Sequence, residues 1–341
     1  MSIMYEKLGF RQIGQLGQKS GFHRRTSFSR TCSHKARKLD FDGIKERKSS
    51  LKLMLKQKTI RPKKSMGQNF MVDDDVSLSM VSAAGIRPED IVIEVGPGTG
   101  ALTRHLLETG AHVIAIEKDE GLHAHLKVEY SSSVDAGHLS LLCGDVLRMD
   151  LVSVLDGVLL EKDKMQSGYC FQGKVHVVAN LPYNITRSFL VQALPLGGRI
   201  ARLMLMLQEE VAIRLTAAQP GDPDWRAMNV IIQYLSSPRY LFKIDRRKYV
   251  PMPKCHGAVV DFGLIPPDKR PTLPATGEKE FFSFVKRAFL QRRKALRNSL
   301  QPSFDSSQVT RAVESVGLSP NVRAQELSMA QFVELIWALQ R

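Results

Sequence analysis

Ile91-Val92-Ile93-Glu94-Val95-Gly96-Pro97-Gly98-Thr99-Gly100-Ala101-Leu102-Thr103-Arg104-His105-Leu106-Leu107 is the stretch on which the reading of the fold turns. Its first five residues are β-branched apart from Glu94 and read as a short buried strand. Glycines at 96, 98 and 100 then form a turn, and the residues from Ala101 read as a helix. Strand, glycine turn and helix make a nucleotide-binding element, because glycine lets a ligand approach the backbone closely. The spacing is G-x-G-x-G and not the G-x-G-x-x-G of dinucleotide sites. No pyrophosphate then has to be cradled, and an acid at the strand end suits a cationic ligand.

Further along, His112-Val113-Ile114-Ala115-Ile116-Glu117 reads as a second strand ending in an acid. Leu139 to Asp145 reads as a third, ending in Gly144-Asp145, and Val175 to Ala179 as a fourth. Any one of these acids is most simply a solvated strand end or a helix cap. Taken in order they mark a site, because ligands of open α/β sheets bind at the carboxyl ends of strands. Glu117 is placed for a ribose and Asp145 for an adenine amine. A nucleoside bearing a sulfonium and an ammonium group, S-adenosylmethionine, suits this set.

The fourth strand leads into Asn180-Leu181-Pro182-Tyr183-Asn184-Ile185-Thr186. An amide, an apolar residue, a proline and an aromatic at a strand end suit chemistry on a planar amine. The Asn180 oxygen accepts a hydrogen bond from an exocyclic amino group, and Pro182 fixes the backbone so that a neighbouring carbonyl accepts a second. Tyr183 offers a face on which a base stacks.

Over residues 61–341 the chain resembles the ribosomal RNA small-subunit adenine dimethyltransferases of the KsgA type. The resemblance rests on the order and spacing of Lys64-Ser65-Met66-Gly67-Gln68-Asn69-Phe70, the run from Glu94, Glu117, Gly144-Asp145 and the Asn180 motif. It continues through Leu207-Gln208-Glu209-Glu210-Val211-Ala212, Tyr249-Val250-Pro251-Met252-Pro253-Lys254, Arg292-Arg293-Lys294-Ala295-Leu296-Arg297 and Arg323-Ala324-Gln325-Glu326-Leu327-Ser328. Cys255-His256-Gly257 departs from the usual pattern and bears on local packing. The resemblance implies a Rossmann-like, seven-stranded α/β methyltransferase domain with a small all-helical carboxyl-terminal domain. It implies a cofactor site formed by Gln68, Asn69, Phe70, Glu94, Gly96, Gly98, Gly100, Glu117, Lys118, Gly144, Asp145, Val146 and Asn180, with no metal. Asn180, Leu181, Pro182 and Tyr183 are the expected catalytic set. The implied substrate is a pair of adjacent adenosines near the 3′ end of small-subunit ribosomal RNA in a pre-ribosomal particle, each dimethylated by a monomeric enzyme.

Charge is unevenly placed. Residues 1–64 hold eighteen Lys or Arg against four acids, whereas the remainder holds 31 basic and 30 acidic residues. Residues 1–39 contain five Arg, five Ser and one acid, a composition typical of organelle transit peptides. A basic arm that binds RNA is the competing reading. The preferred division is a transit segment over 1–45, a basic arm over 46–64, a methyltransferase domain over 65–265, a linker over 266–276 and an RNA-binding domain over 277–341. A plastid is the preferred compartment, with a mitochondrion as the alternative. The four cysteines are scattered with no C-x-x-C pair, which argues against a zinc site or a disulfide framework. No apolar run reaches the length of a membrane span.

Between these motifs, Met71–Gly85 reads as a helix and 161–173 as a polar surface loop. Arg199–Leu207, Tyr240–Ile244 and Ala258–Leu264 complete the seven strands. Helices are expected over about 278–300, 307–316 and 328–340. On the first, Lys286, Arg287, Arg293, Lys294 and Arg297 share an arc beside an apolar face, a candidate ridge for RNA phosphates. Three other functions compete: a resistance-type RNA methyltransferase, a DNA or protein-glutamine methyltransferase, which would more typically carry proline where this chain has Leu181, and a non-catalytic nucleic-acid-binding factor of the same fold. The leader and the Arg323 motif favour the housekeeping enzyme, and the intact acids, glycines and tetrad favour catalysis.

Overall fold

The computed structural model describes residues 62–63, 66–165, 171, 173–301 and 303–340. The expected transit segment, and all of the basic arm but 62–63, lie outside the described residues. The chain runs β1 (Phe70–Met71), α1 (Asp74–Ala84), β2 (Ile91–Val95), α2 (Ala101–Leu107), β3 (His112–Glu117), α3 (Glu120–Glu129), α4 (Ser131–Asp135) and β4 (Leu139–Cys143). It continues with α5 (Leu151–Met165), β5 (Val175–Asn180), α6 (Thr186–Ala193), β6 (Arg202–Gln208), α7 (Glu209–Ala217), α8 (Ala227–Leu235), β7 (Ser236–Ile244), β8 (Tyr249–Val250) and β9 (Gly257–Leu264). The carboxyl-terminal part is α9 (Gly277–Ala288), α10 (Leu296–Ser299), α11 (Ser306–Ser315) and α12 (Met329–Leu339).

Seven strands form one sheet in the order β4-β3-β2-β5-β6-β9-β7, parallel except for β9. The chain moves outward from β2 to β4, then returns to β5 on the other side of β2. Ligands bind at such a reversal, in the crevice beyond the strand ends. It therefore brings the Gly96–Gly100 turn after β2 next to Asn180 at the end of β5. Both faces of the inner strands are covered, which is why they read as continuous apolar runs. Alternation still sorts them: Ile91, Ile93 and Val95 join one buried cluster, and Val92 joins the other. Glu94 therefore points to the Val92 side, beneath α1 and α2.

Phe281, Phe284, Phe332 and Leu335 of the carboxyl-terminal helices belong to the same buried cluster as the sheet residues. Tyr234 of α8 packs against Phe281 with ring centroids 5.1 Å apart, and the buried Trp225 donates from Nε1 to the Leu327 carbonyl at 3.0 Å. Burying each such side chain contributes about 1.5–3 kcal/mol. Among the described residues, no helix is long and apolar enough to cross a membrane.

Three expectations need correction. The helix expected over 278–300 ends at Ala288, and a 3-10 turn over Phe289–Gln291 follows. The chain then reverses, with Ala295 bridging to Arg323 and the Leu296 N–H donating to the Val322 carbonyl at 2.8 Å. A straight helix would carry Leu300 about 18 Å along the axis from Ala288. The reversal instead buries Leu296 and Leu300 completely, so tertiary packing overrides local propensity. The polar run from 161 is helical to Met165, as the last turn of α5. Ala227–Leu235, where the sequence suggests no element, is a helix that passes into β7 at Ser236 with no glycine or proline between them.

Candidate active site

The turn after β2 is built around a single carboxylate. Glu117, at the end of β3, accepts from the Gly98 N–H at 3.0 Å and from the Asp119 N–H at 2.8 Å. Gly98 has φ +62°, and a Cβ there would stand 3.3 Å from the Phe70 ring. Only glycine lets the turn close against that ring. Gly100, expected in the cofactor site, does not line the cleft. Its carbonyl accepts from the Tyr130 hydroxyl at 2.8 Å, and a Cβ would stand 2.6 Å from that ring. Its glycine serves the packing of α2 against Tyr130.

Every other residue of the expected cofactor and catalytic sets lines one open cleft, with about 1200 Å³ of empty space including its mouth. Three acids line it, in different electrostatic states. Glu94 is 1% exposed, and one of its carboxylate oxygens has no hydrogen-bond partner among the described residues. The buried hydroxyls of Ser77 and Thr103 also lack partners there. Burial pushes the Glu94 carboxyl up to about 8; nearby Thr103 offsets this only in part, and the Glu117 charge adds to it. Burial also raises Glu117, outweighing its bonds from the Asp119 and Gly98 N–H groups. Asp145 is held below the usual carboxylate range, chiefly by Lys118 at 2.9 Å. An orphaned buried carboxylate oxygen beside a second desolvated acid fits a cationic ligand with hydroxyl and amine donors, as S-adenosylmethionine has.

The β5 side of the cleft carries no acid at its strand end. Asn180 ends the strand, and its carboxamide has no hydrogen-bond partner among the described residues. The Pro182 carbonyl accepts from the Ile185 N–H at 3.1 Å, starting a 3-10 turn at Tyr183 that leaves the Leu181 carbonyl outside it. The Tyr183 ring is half-buried and lines the cleft, while its hydroxyl is buried. Burial pushes that hydroxyl up to about 12, so Tyr183 offers a face and not a base at neutral pH. Gly67 approaches the loop after β5: a Cβ there would stand 3.1 Å from Asn184 Oδ1 and 3.6 Å from Pro182 Cβ.

Met206 and Tyr249 are among the lining residues that stand outside the expected sets. Tyr249 pairs with Met71 in a two-residue ladder too short to show periodicity, and its phenol donates to the Met206 sulfur at 3.7 Å. The candidate RNA residues are not one helical ridge. Lys286 lies near the end of α9, and Arg293 and Lys294 lie in the reversal; all three are exposed. Arg287 bonds Glu280 and Ser303, and Arg297 donates to the Pro320 carbonyl at 2.8 Å.

Residues 60–341 match the ribosomal RNA adenine dimethylase family. The chain is 36% identical over 287 residues to ribosomal RNA small subunit methyltransferase A of Protochlamydia amoebophila, covering 84% of this chain and 94% of that protein. It is 34% identical over 274 residues to the chloroplastic ribosomal RNA small subunit methyltransferase of Arabidopsis thaliana, covering 80% and 78%. A dimethyladenosine transferase from Plasmodium falciparum superposes with TM-score 0.60 at 20% identity, covering 78% of this chain and 95% of that one. The 23S rRNA methyltransferase ErmE superposes with TM-score 0.59 at 22% identity, covering 80% and 100%. These two structures share the Rossmann-like fold. The chain belongs to the ribosomal RNA adenine dimethylase family.

Proposed function

We propose that this member of the family dimethylates the 6-amino groups of two adjacent adenosines near the 3′ end of small-subunit ribosomal RNA, within a pre-ribosomal particle in a plastid. The observation that carries the reading is the placement of Asn180–Tyr183 at the end of β5, in one cleft with the acids of β2, β3 and Asp145. When bound, S-adenosylmethionine would supply a methyl group on a sulfonium, whose sulfur leaves as a neutral thioether without acid assistance. The chain's own task is then alignment. The Asn180 oxygen and the Leu181 carbonyl accept the two amine protons, which turns the nitrogen lone pair toward the cofactor side of the cleft. Tyr183 stacks on the extruded base. Glu117 takes the ribose hydroxyls, Glu94 faces the cationic part of the cofactor, and Asp145 meets the adenine once Lys118 (57% exposed at its side chain) gives way. Exposed Lys286, Arg293 and Lys294 contact RNA phosphates.

The chloroplastic relative and the Arg- and Ser-rich start support the plastid assignment. The enzyme is tested by incubating the chain with labelled S-adenosylmethionine and unmethylated bacterial-type small subunits, then mapping the label. Dimethyladenosine near the RNA 3′ end, reduced about a hundredfold or more in Asn180→Ala, is the expected result. Subunit binding without transfer would make the chain a binding factor. Fusing residues 1–45 to a fluorescent protein tests the compartment, and mitochondrial import would overturn the plastid assignment.

A further inference from the structure

We infer that Asp119 is a positioning residue for the cofactor subsite: its carboxylate fastens the segment bearing Gln68, Asn69 and Phe70 over the strand ends that carry Glu94 and Glu117. The inference rests on the reading of the cleft as a S-adenosylmethionine site. Asp119 is buried, two residues beyond Glu117 and directly before α3. Its Oδ1 caps the helix, accepting from the Gly121 N–H at 3.0 Å. Its Oδ2 accepts from Gln68 Nε2 at 3.1 Å and pairs with Lys63 Nζ at 2.9 Å. The Lys63 N–H closes the ring by donating to Gln68 Oε1 at 2.7 Å. Through its own N–H, Asp119 also holds Glu117, and so the Gly98 turn.

Capping does not require a charge here, because Asn or Ser caps a helix as well as Asp does. The charge serves Gln68 and Lys63. Burial raises the Asp119 carboxyl, but the Lys63 and Gln68 bonds lower it further, so it is ionised at neutral pH and both bonds are charge-assisted. Among the described residues the segment's main-chain tie is short: Phe70 and Met71 pair with Val250 and Tyr249, and the Val72 N–H donates to the Lys248 carbonyl at 3.0 Å. Residues 66–70 line the cleft, with Gly67 against Pro182 and Asn184 and the Phe70 ring against Gly98. A ligand beneath them exchanges at a rate set by how firmly they are held.

The test measures dissociation of S-adenosylmethionine and S-adenosylhomocysteine from the full chain by stopped-flow displacement. Asp119→Asn keeps the cap and the shape and removes the charge, and dissociation is expected to be about tenfold faster. Lys63→Met, a change at a half-exposed side chain that leaves the fold alone, is expected to give about threefold. The double variant is expected to be no faster than Asp119→Asn, because both act on one linkage. In turnover on small subunits, Asp119→Asn raises KM for the cofactor more than it lowers kcat. Dissociation within about twofold of wild type, or additive effects of the two changes, overturns the latch. A wild-type chain that binds neither ligand sinks the cofactor reading itself, before any variant is compared.

Discussion

Replacing Glu94 by Gln tests the electrostatics of the cleft while nearly preserving its shape. The carboxyl titrates at 4.5 when exposed and near 8 in the folded protein. Between those values the native state binds more protons than the unfolded state. The stability contribution is therefore complete below pH 4.5 and is lost as pH rises through 8. At pH 7 the unfolded carboxyl is ionised and the buried one still largely protonated. That is roughly a 300-fold difference in proton binding, or about 3 kcal/mol against the fold.

Glutamine carries no such penalty. Ligand-free Glu94→Gln is thus expected to be more stable than wild type by up to about 3 kcal/mol at pH 7, and by little near pH 5. For a chain of this size each kcal/mol moves Tm by about 2–4 °C, so the gap at pH 7 is roughly 6–12 °C. Parallel thermal melts of the two ligand-free proteins from about pH 5 to 9 read it directly. The curves should converge at the acid end and separate toward pH 8. Two curves of equal slope would refute the argument from burial. The variant should also gain less Tm from S-adenosylmethionine, because the acid that faces the cationic ligand is gone.

Tyr183→Phe should retain transfer within about threefold and Tyr183→Ala should lose about ten- to a hundredfold, because the ring face is the working part; equal losses in single-turnover assays would assign a role to the hydroxyl. Asp261 is 1% exposed and joins Arg202 on β6, at 3.1 Å, to Arg239 on β7. Asp261→Ala leaves Arg202 with only its bonds to the Ala83 and Ala84 carbonyls and should cost about 1–3 kcal/mol in urea melts, with methylation per folded molecule unchanged. Arg293→Ala with Lys294→Ala should weaken subunit binding and reduce the salt slope by about one for each phosphate no longer neutralised; an unchanged slope would place the RNA surface elsewhere.

The inner sheet was legible because parallel strands covered on both faces write themselves as nearly continuous apolar runs rich in β-branched residues, as Ile91–Val95 and His112–Glu117 do. The cleft was legible because the reversal between β2 and β5 turns separate strand ends into neighbours. Residues whose role depends on distant partners were not legible. Asp119 and Gln68 are 51 positions apart, and nothing local marks their bond, although an Asp directly before a helix is a visible cap. Gly100 sits in the same run as Gly96 and Gly98, yet it answers to Tyr130, thirty positions away. The end of α9 at Ala288 was hidden for a similar reason. Helical spacing persists through Leu300, and only the pairing with Val322 and Arg323 turns the chain.

The cleft is electrostatically divided along that same reversal. On the β2–β3–β4 side, Glu94, Glu117 and Asp145 place three acids at or beside the strand ends, and Glu94, largely protonated in the ligand-free protein, gains from ionising against a bound cation, which low dielectric attracts strongly. On the β5 side the corresponding residue is the neutral Asn180. The division suits methyl transfer to an amine. A carboxylate at 180 would attract the cationic cofactor toward the place where the base must lie, whereas an amide oxygen accepts from the amine without that pull. The nitrogen becomes cationic on accepting a methyl group and is then a strong acid, so it loses its proton to water. Tyr183, with its hydroxyl pushed up to about 12, keeps its own proton throughout. On the proposed reading the site needs acids where the donor binds and none where the acceptor reacts, and the residues at the four strand ends suit that division.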